Sequence, residues 1–305
     1  MKKKKKVFVV IIIVLIVIIA NMVGFSIFLI GKKASNRVEV FEYKPEDYGL
    51  ISSDALFKSD DGIDLMAYFI QNPNPKGTVI VLHGMNNMDA SSFMGHAKYL
   101  NDSGYNTLLL DMRAHGRSGG NEITFSYREP LDVKAAINWL KSKEAISENP
   151  IFLLGFSMGG STAIRTGAID ESLSGIVTVG AYSAVQDVLE AGMASFKMPE
   201  LLQTVLSPFL KIALAIKFRL NPWKESPEVD IRKIESTPLL LIHGENDEQI
   251  PVENAKILQQ NGNENVSIEI IEGGGHLVFR RDGTTEIDKE YREMIIDFFD
   301  SCLEK

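Results

Sequence analysis

At 305 residues, with 45% apolar and 24% charged side chains, the chain suits one large α/β domain or two small ones, and its composition excludes a disordered polymer. Residues 1–37 hold eight basic side chains and no acidic one, which leaves 24 basic against 40 acidic in the rest. That acidic body has no basic footprint for nucleic acid and repels polyanions at long range, and a lone cysteine, Cys302, excludes an intramolecular disulfide.

The chain begins with Lys2 to Lys6 and an almost unbroken apolar run, Val7 to Ile30, closed by Gly31-Lys32-Lys33. About 20 apolar residues cross a bilayer as a helix, so this run is long enough even when tilted. A cleaved secretion signal has a shorter apolar core and a small-x-small site. Residues 1–33 therefore read as cytoplasmic lysines and an uncleaved signal anchor. Five lysines before the span outnumber Lys32, Lys33 and Arg37 after it, which puts the N-terminus in the cytoplasm and the body outside the cell.

Residues 34–47 are polar and mixed, and read as a linker to a domain over 48–305. Two apolar runs, Leu56 to Ser59 and Ile63 to Ile70, flank Asp60-Asp61-Gly62, a hairpin signal. Strands and helices then alternate, which predicts a mostly parallel sheet covered on both faces. The strands are Thr78 to Leu82, Asn106 to Asp111, Ile151 to Leu154, Gly175 to Gly180, Pro238 to His243 and Val266 to Ile271. The helices are Ala90 to Ser103, Pro130 to Lys143, Ser157 to Ala168, Val252 to Asn261 and Glu286 to Leu303. Residues 184–236 break the alternation with many apolar side chains, among them Phe196, Leu201, Leu202, Val205 and Ile216. This insertion reads as one or two helices forming a lid; an ordinary connecting helix or a membrane-surface helix are the alternatives.

Gly155-Phe156-Ser157-Met158-Gly159 lies between an apolar strand and a helix, the setting of a G-x-S-x-G nucleophile elbow. Gly155 and Gly159 leave room at the sharp turn, and Ser157 is the candidate nucleophile. A serine hydroxyl needs a base, and the base a carboxylate. Asp247 follows the Pro238 to His243 strand and is the candidate acid, with Glu245 and Glu248 as flanking alternatives. His276 follows the last strand on Gly273-Gly274-Gly275 and is the candidate base among five histidines. His83 and His243 each precede a glycine after a strand and read as structural; Arg113 and His115 read as locks between loops. An oxyanion needs preorganised donors. The backbone N–H groups of Met158 and Met85, the latter on the loop His83-Gly84-Met85-Asn86-Asn87-Met88, are the candidates. Met85, Met88, Met94 and Met158 could line an apolar acyl pocket or simply pack in the core. No metal-ligand spacing and no cofactor motif is evident.

Elbow, acid loop and terminal histidine, in this order and each after a strand, resemble the α/β-hydrolase superfamily across nearly all of 50–305. Asp111 to Gly120 is similar to its D-x-R-x-H-G-x-S segment, with Ala114 where many members have glycine, and Gly244 to Pro251 to its G-x-x-D-x-x-x-P acid loop. The N-terminal anchor resembles the serine aminopeptidase-like branch. The resemblance implies an α/β-hydrolase fold with a helical lid, preceded by one transmembrane helix, and a Ser157, Asp247, His276 triad. The expected activity is cleavage of carboxylic esters or thioesters of a small-molecule acyl substrate, without cofactor; a serine peptidase and a non-catalytic binding protein of the same fold are the alternatives.

Overall fold

The computed structural model describes residues 2–35, 37–40, 43–85, 87–195, 197–278 and 288–304. Asn86, Phe196 and the expected start of the last helix at Glu286 lie outside the described residues. The strands are β1 (Ser52–Lys58), β2 (Asp64–Ile70), β3 (Thr78–Leu82), β4 (Asn106–Asp111), β5 (Ile151–Phe156), β6 (Leu173–Val179), β7 (Leu239–Gly244) and β8 (Val266–Ile271). The helices are α1 (Lys2–Ala34), α2 (Met94–Asp102), α3 (Glu129–Lys141), α4 (Met158–Gly167), α5 (Val185–Ser195), α6 (Glu200–Phe218), α7 (Pro227–Asp230), α8 (Glu253–Asn261) and α9 (Lys289–Leu303).

The eight strands form one sheet in the order β1-β2-β4-β3-β5-β6-β7-β8. β1 and β2 make the expected antiparallel hairpin, β2 pairs antiparallel with β4, and all later pairs are parallel. Side chains alternate across the sheet. Ile80, Leu82 and Leu153 face a core shared with α3 and α4, while Val79, Val81, Phe152 and Leu154 face one shared with α2 and α9. Central strands buried on both faces need continuous apolar runs, and β3, β4 and β5 are buried along their whole length.

Parallel registration brings the strand carboxyl ends level. Leu82 of β3 pairs with Gly155 of β5, Phe156 with Val179 of β6, Val179 with Ile242 of β7, and Gly244 with Ile271 of β8. The loops after β3, β5, β7 and β8 therefore emerge along one edge, where ligands bind in open α/β sheets.

Two features of the N-terminal part go beyond the sequence reading of an anchor followed by a short linker. The last turns of α1 belong to the folded body: Ile30 and Ala34 are fully buried in the core that includes Ala213 and Leu214 of α6. The segment after it is pinned. Arg37 donates to the carbonyls of Gly116 at 2.7 Å and Ser118 at 2.8 Å, and Val38 exchanges backbone hydrogen bonds with Ala114 and Gly116. Composition alone cannot reveal such docking, because a polar segment bonded through its backbone looks like a solvated one.

The insertion over 184–236 contains two substantial helices, α5 and α6, and the short α7. α1 and α6 are each long and apolar enough to cross a membrane by length and composition. α6 is the amphipathic one. Leu206, Leu210 and Leu214 are buried, whereas Leu201, Leu202, Val205 and Ile216 are exposed.

Candidate active site

The turn between β5 and α4 places Ser157 at φ 52° and ψ −115°, a left-handed conformation that few L-residues adopt. The surroundings hold it there. The Ser157 N–H donates to Val179 O at 2.8 Å, and its carbonyl accepts from Ser161 N at 3.1 Å. A Cβ on Gly155 would lie 2.3 Å from Gly159 O, and one on Gly159 2.2 Å from Leu82 O, so both positions exclude any side chain. Such strain, over-determined by packing, is typical of functional turns.

The structure brings the serine, histidine and aspartate together. The Ser157 hydroxyl donates to His276 Nε2 at 3.0 Å, and His276 Nδ1–H donates to Asp247 Oδ2 at 2.7 Å. His276 follows β8, yet Ser157 follows β5, so the histidine loop crosses the ends of β7 and β6. It passes so close to Gly180 that a Cβ there would meet His276 O at 2.8 Å.

Asp247 is buried and fully engaged. Its Oδ1 accepts from the backbone N–H groups of Gln249 at 2.9 Å and Ile250 at 2.8 Å. Burial pushes its carboxyl upward, but the hydrogen bonds from His243 and His276 outweigh this and hold it well below the usual carboxylate range. His243 Nε2 lies 3.2 Å from Asp247 Oδ2 and also donates to Ile250 O at 2.8 Å. His243 thus braces the acid loop as well as the strand end, a role its spacing of four residues from Asp247 could have signalled. Glu245 and Glu248 are exposed.

The loop after β3 lies beside the serine; a Cβ on Gly84 would approach Ser157 Cβ to 3.4 Å. His83 and His115 orient this loop. His83 is fully buried; its Nδ1–H donates to Gly84 O at 2.7 Å, and its Nε2 accepts from Met112 N at 3.0 Å. Both ring nitrogens are thereby committed in the neutral form, and burial pushes its pKa down to about 3. Gly84 C=O and Met85 N–H belong to one trans peptide group, so the bond from His83 also sets where the Met85 N–H points. The His115 ring nitrogens lie 3.0 Å from Met85 O and 2.9 Å from Arg113 O. Among the described residues, the N–H groups of Met85 and Met158 donate to no other group. Arg113 is locked between Asp132 and Asp61.

A cavity of about 430 Å³ opens at Ser157 and His276, walled by the apolar Met85, Met88, Val188 and Ile250 and by the polar Lys33, Asn87, Glu248 and Gln249. Met94 and Met158 are fully buried in the two cores.

Comparison with known proteins follows the same lines. A family model described as serine aminopeptidase, S33, matches residues 73–222. One for the prolyl oligopeptidase family matches residues 215–305. The uncharacterized protein YqkD of Bacillus subtilis is 26% identical over 276 residues, covering 90% of this chain and 86% of its own. The uncharacterized protein YfhR of Escherichia coli is 25% identical over 297 residues, covering 92% and 93%. The Pyrococcus furiosus esterase Pf2001 superposes with a TM-score of 0.70 at 27% identity, over 87% of this chain and 98% of that one.

Proposed function

The chain belongs to the α/β-hydrolase superfamily, and on that footing we propose that it is a membrane-anchored serine hydrolase cleaving carboxylic esters or thioesters. The observation that carries this reading is the continuous hydrogen-bonded line from Ser157 Oγ through His276 to Asp247. As Ser157 Oγ attacks the substrate carbonyl, its proton passes to His276 Nε2. Asp247 holds the ring in the required tautomer and stabilises the imidazolium. The N–H groups of Met85 and Met158 receive the oxyanion, each donor worth about 2.7–4 kcal/mol in such sites. The tetrahedral intermediate then expels the alkoxide or thiolate, which takes the proton from His276. A water deprotonated by His276 attacks the acyl-enzyme, and collapse releases the carboxylic acid and restores Ser157.

The Met85, Met88, Val188 and Ile250 walls support an apolar acyl group, and the esterase Pf2001 as a structural neighbour supports ester cleavage. The apolar length of α1 supports anchoring, and the lysine excess before it supports a cytoplasmic N-terminus and an extracellular domain. The matching peptidase family models favour a second reading, aminopeptidase-like amide cleavage. Steady-state rates on acyl esters, acyl thioesters and aminoacyl amides decide between them. Ester or thioester turnover that disappears in Ser157→Ala is expected. Amide turnover alone establishes the peptidase. A folded wild-type protein inert toward all three supports a binding protein instead.

A further inference from the structure

The cavity at Ser157 does not end at the catalytic residues. Its walls Lys33, Val188 and Gly192 are also walls of a second cavity of about 350 Å³, which continues along Leu29, Ile30 and Leu210. The first cavity carries the reacting groups, and the second is lined by apolar side chains and Gly192 together with Lys32 and Lys33. Gly192, on α5, sits where the two meet. A Cβ built there meets no described heavy atom within 4 Å. The far cavity lies against the C-terminal turns of α1, the same helix that is apolar enough to cross a bilayer.

Helix length fixes how deep this arrangement lies. The part of α1 exposed on all sides runs from Val7 to Asn21. At 1.5 Å per residue it covers roughly 22 Å, short of the roughly 30 Å hydrocarbon core. From Met22 onward one face of α1 packs on the insertion, with Met22 against Met193, Leu206 and Leu210. If α1 spans, its first packed turns and the adjoining part of α6 share the hydrocarbon. The outward-facing Leu201, Leu202 and Val205, 77%, 39% and 38% exposed, are then covered by lipid. Cleavage of a water-borne substrate would need none of this.

We propose that the two cavities form one acyl channel running from the bilayer beside α1 to Ser157, and that the substrate is a fatty-acyl ester or thioester amphiphile taken from the adjoining leaflet. This deepens, and rests on, the serine-hydrolase reading. The chain lies along Leu29, Ile30 and Leu210, passes Gly192, and presents its carbonyl to Ser157. The polar headgroup leaves through the mouth near Asn87 and Glu248, where it meets water.

The test uses the full chain in detergent micelles and a series of p-nitrophenyl esters from acetyl through butyryl and decanoyl to palmitoyl. Burial of each methylene is worth about 0.8 kcal/mol, so kcat/KM of the wild type should rise about fourfold per methylene until the channel fills. Gly192→Trp places a ring at the junction, and Gly192→Leu a smaller plug. Both should erase the rise, lowering the ratio of decanoyl to acetyl kcat/KM at least about tenfold. Labelling by a small methyl fluorophosphonate reports a folded site in each variant. A flat chain-length profile in the wild type overturns the channel. So does a Gly192→Trp protein that labels normally and keeps the wild-type profile, or one that loses acetyl and decanoyl turnover equally. A wild type that neither labels nor turns over the acetyl ester fails earlier, at the hydrolase reading itself.

Discussion

Replacing His83 with phenylalanine keeps a buried aromatic ring but removes two hydrogen bonds, the one from Nδ1–H to Gly84 O and the one accepted from Met112 N. The first orients the peptide that carries the Met85 N–H. If that N–H receives the oxyanion, misaiming it costs up to the full value of one donor, about 2.7–4 kcal/mol, or roughly 10²–10³ in kcat. Partial misalignment sets a floor near tenfold, and KM for a short acyl ester should change little because the acyl pocket is untouched. The second loss leaves the Met112 N–H buried without an acceptor, which costs about 1–3 kcal/mol of stability at neutral pH. Acid reverses the order of the two proteins. Burial depresses the His83 pKa to about 3 in the folded protein. Between the unfolded value of about 6.5 and that folded value, the unfolded state binds the proton and the native state does not. Wild-type stability therefore falls by about 1.4 kcal/mol per pH unit relative to the variant as pH drops below 6.5. A deficit of about 2 kcal/mol at pH 7 closes near pH 5, below which His83→Phe becomes the more stable protein. Asp111, raised to about 6 by burial, titrates in both proteins and cancels in the difference. Initial rates on acetyl and butyryl esters and urea unfolding from pH 7.5 to 4.5 measure both effects. A variant with wild-type kcat, or a stability gap that does not narrow with acid, would refute the orienting role of this histidine.

Other perturbations test separate parts of the structure. Asp247→Asn keeps an acceptor for Gln249 and Ile250 but presents an amide to His276 Nδ1, reversing the tautomer; fluorophosphonate labelling rates should fall about 10³–10⁴-fold, and the melting temperature should drop because the amide also faces the His243 N–H. Gly159→Ala forces a Cβ to within 2.2 Å of Leu82 O, so the strand ends must separate; the folded yield, followed by size-exclusion chromatography, should collapse, and a normal monodisperse yield would contradict the packing. Arg37→Ala removes donors to the carbonyls of Gly116 and Ser118; a loss of about 1–2 kcal/mol in urea unfolding and faster proteolysis after α1 are expected. Protease added to intact cells should digest the domain if it is extracellular; full protection would reverse the proposed orientation.

Much of the fold could be read from periodicity and punctuation. The fully buried strands β3 and β5 appear as short apolar runs because both faces of a central parallel strand are covered. The hairpin around Asp60-Asp61-Gly62 follows from turn chemistry. Strand and helix ends shifted by a few residues, as at β1, which starts at Ser52 where the apolar pattern starts only at Leu56. An edge strand paired through its backbone does not need apolar side chains. The candidate site was legible because its groups follow strands in a fixed order, and parallel registration levels the strand ends. What the sequence concealed depends on contacts made across long separations. The docking of Arg37 on 116–120, the seating of Ile30 and Ala34 in the core, and the bracing of Asp247 by His243 leave no local pattern. Nor does the junction at Gly192, where a small residue in a helix marks an opening only once α5 is seen against Ser157.

The central claim is that Ser157 is the residue acylated during turnover. Reaction of the full chain with a fluorophosphonate, followed by proteolysis and mass spectrometry, tests it directly. One adduct per chain on the peptide containing Gly155-Phe156-Ser157, absent in Ser157→Ala and strongly slowed in His276→Ala, is the expected result. An adduct on another serine, or a folded wild-type protein that takes up no probe, would contradict it.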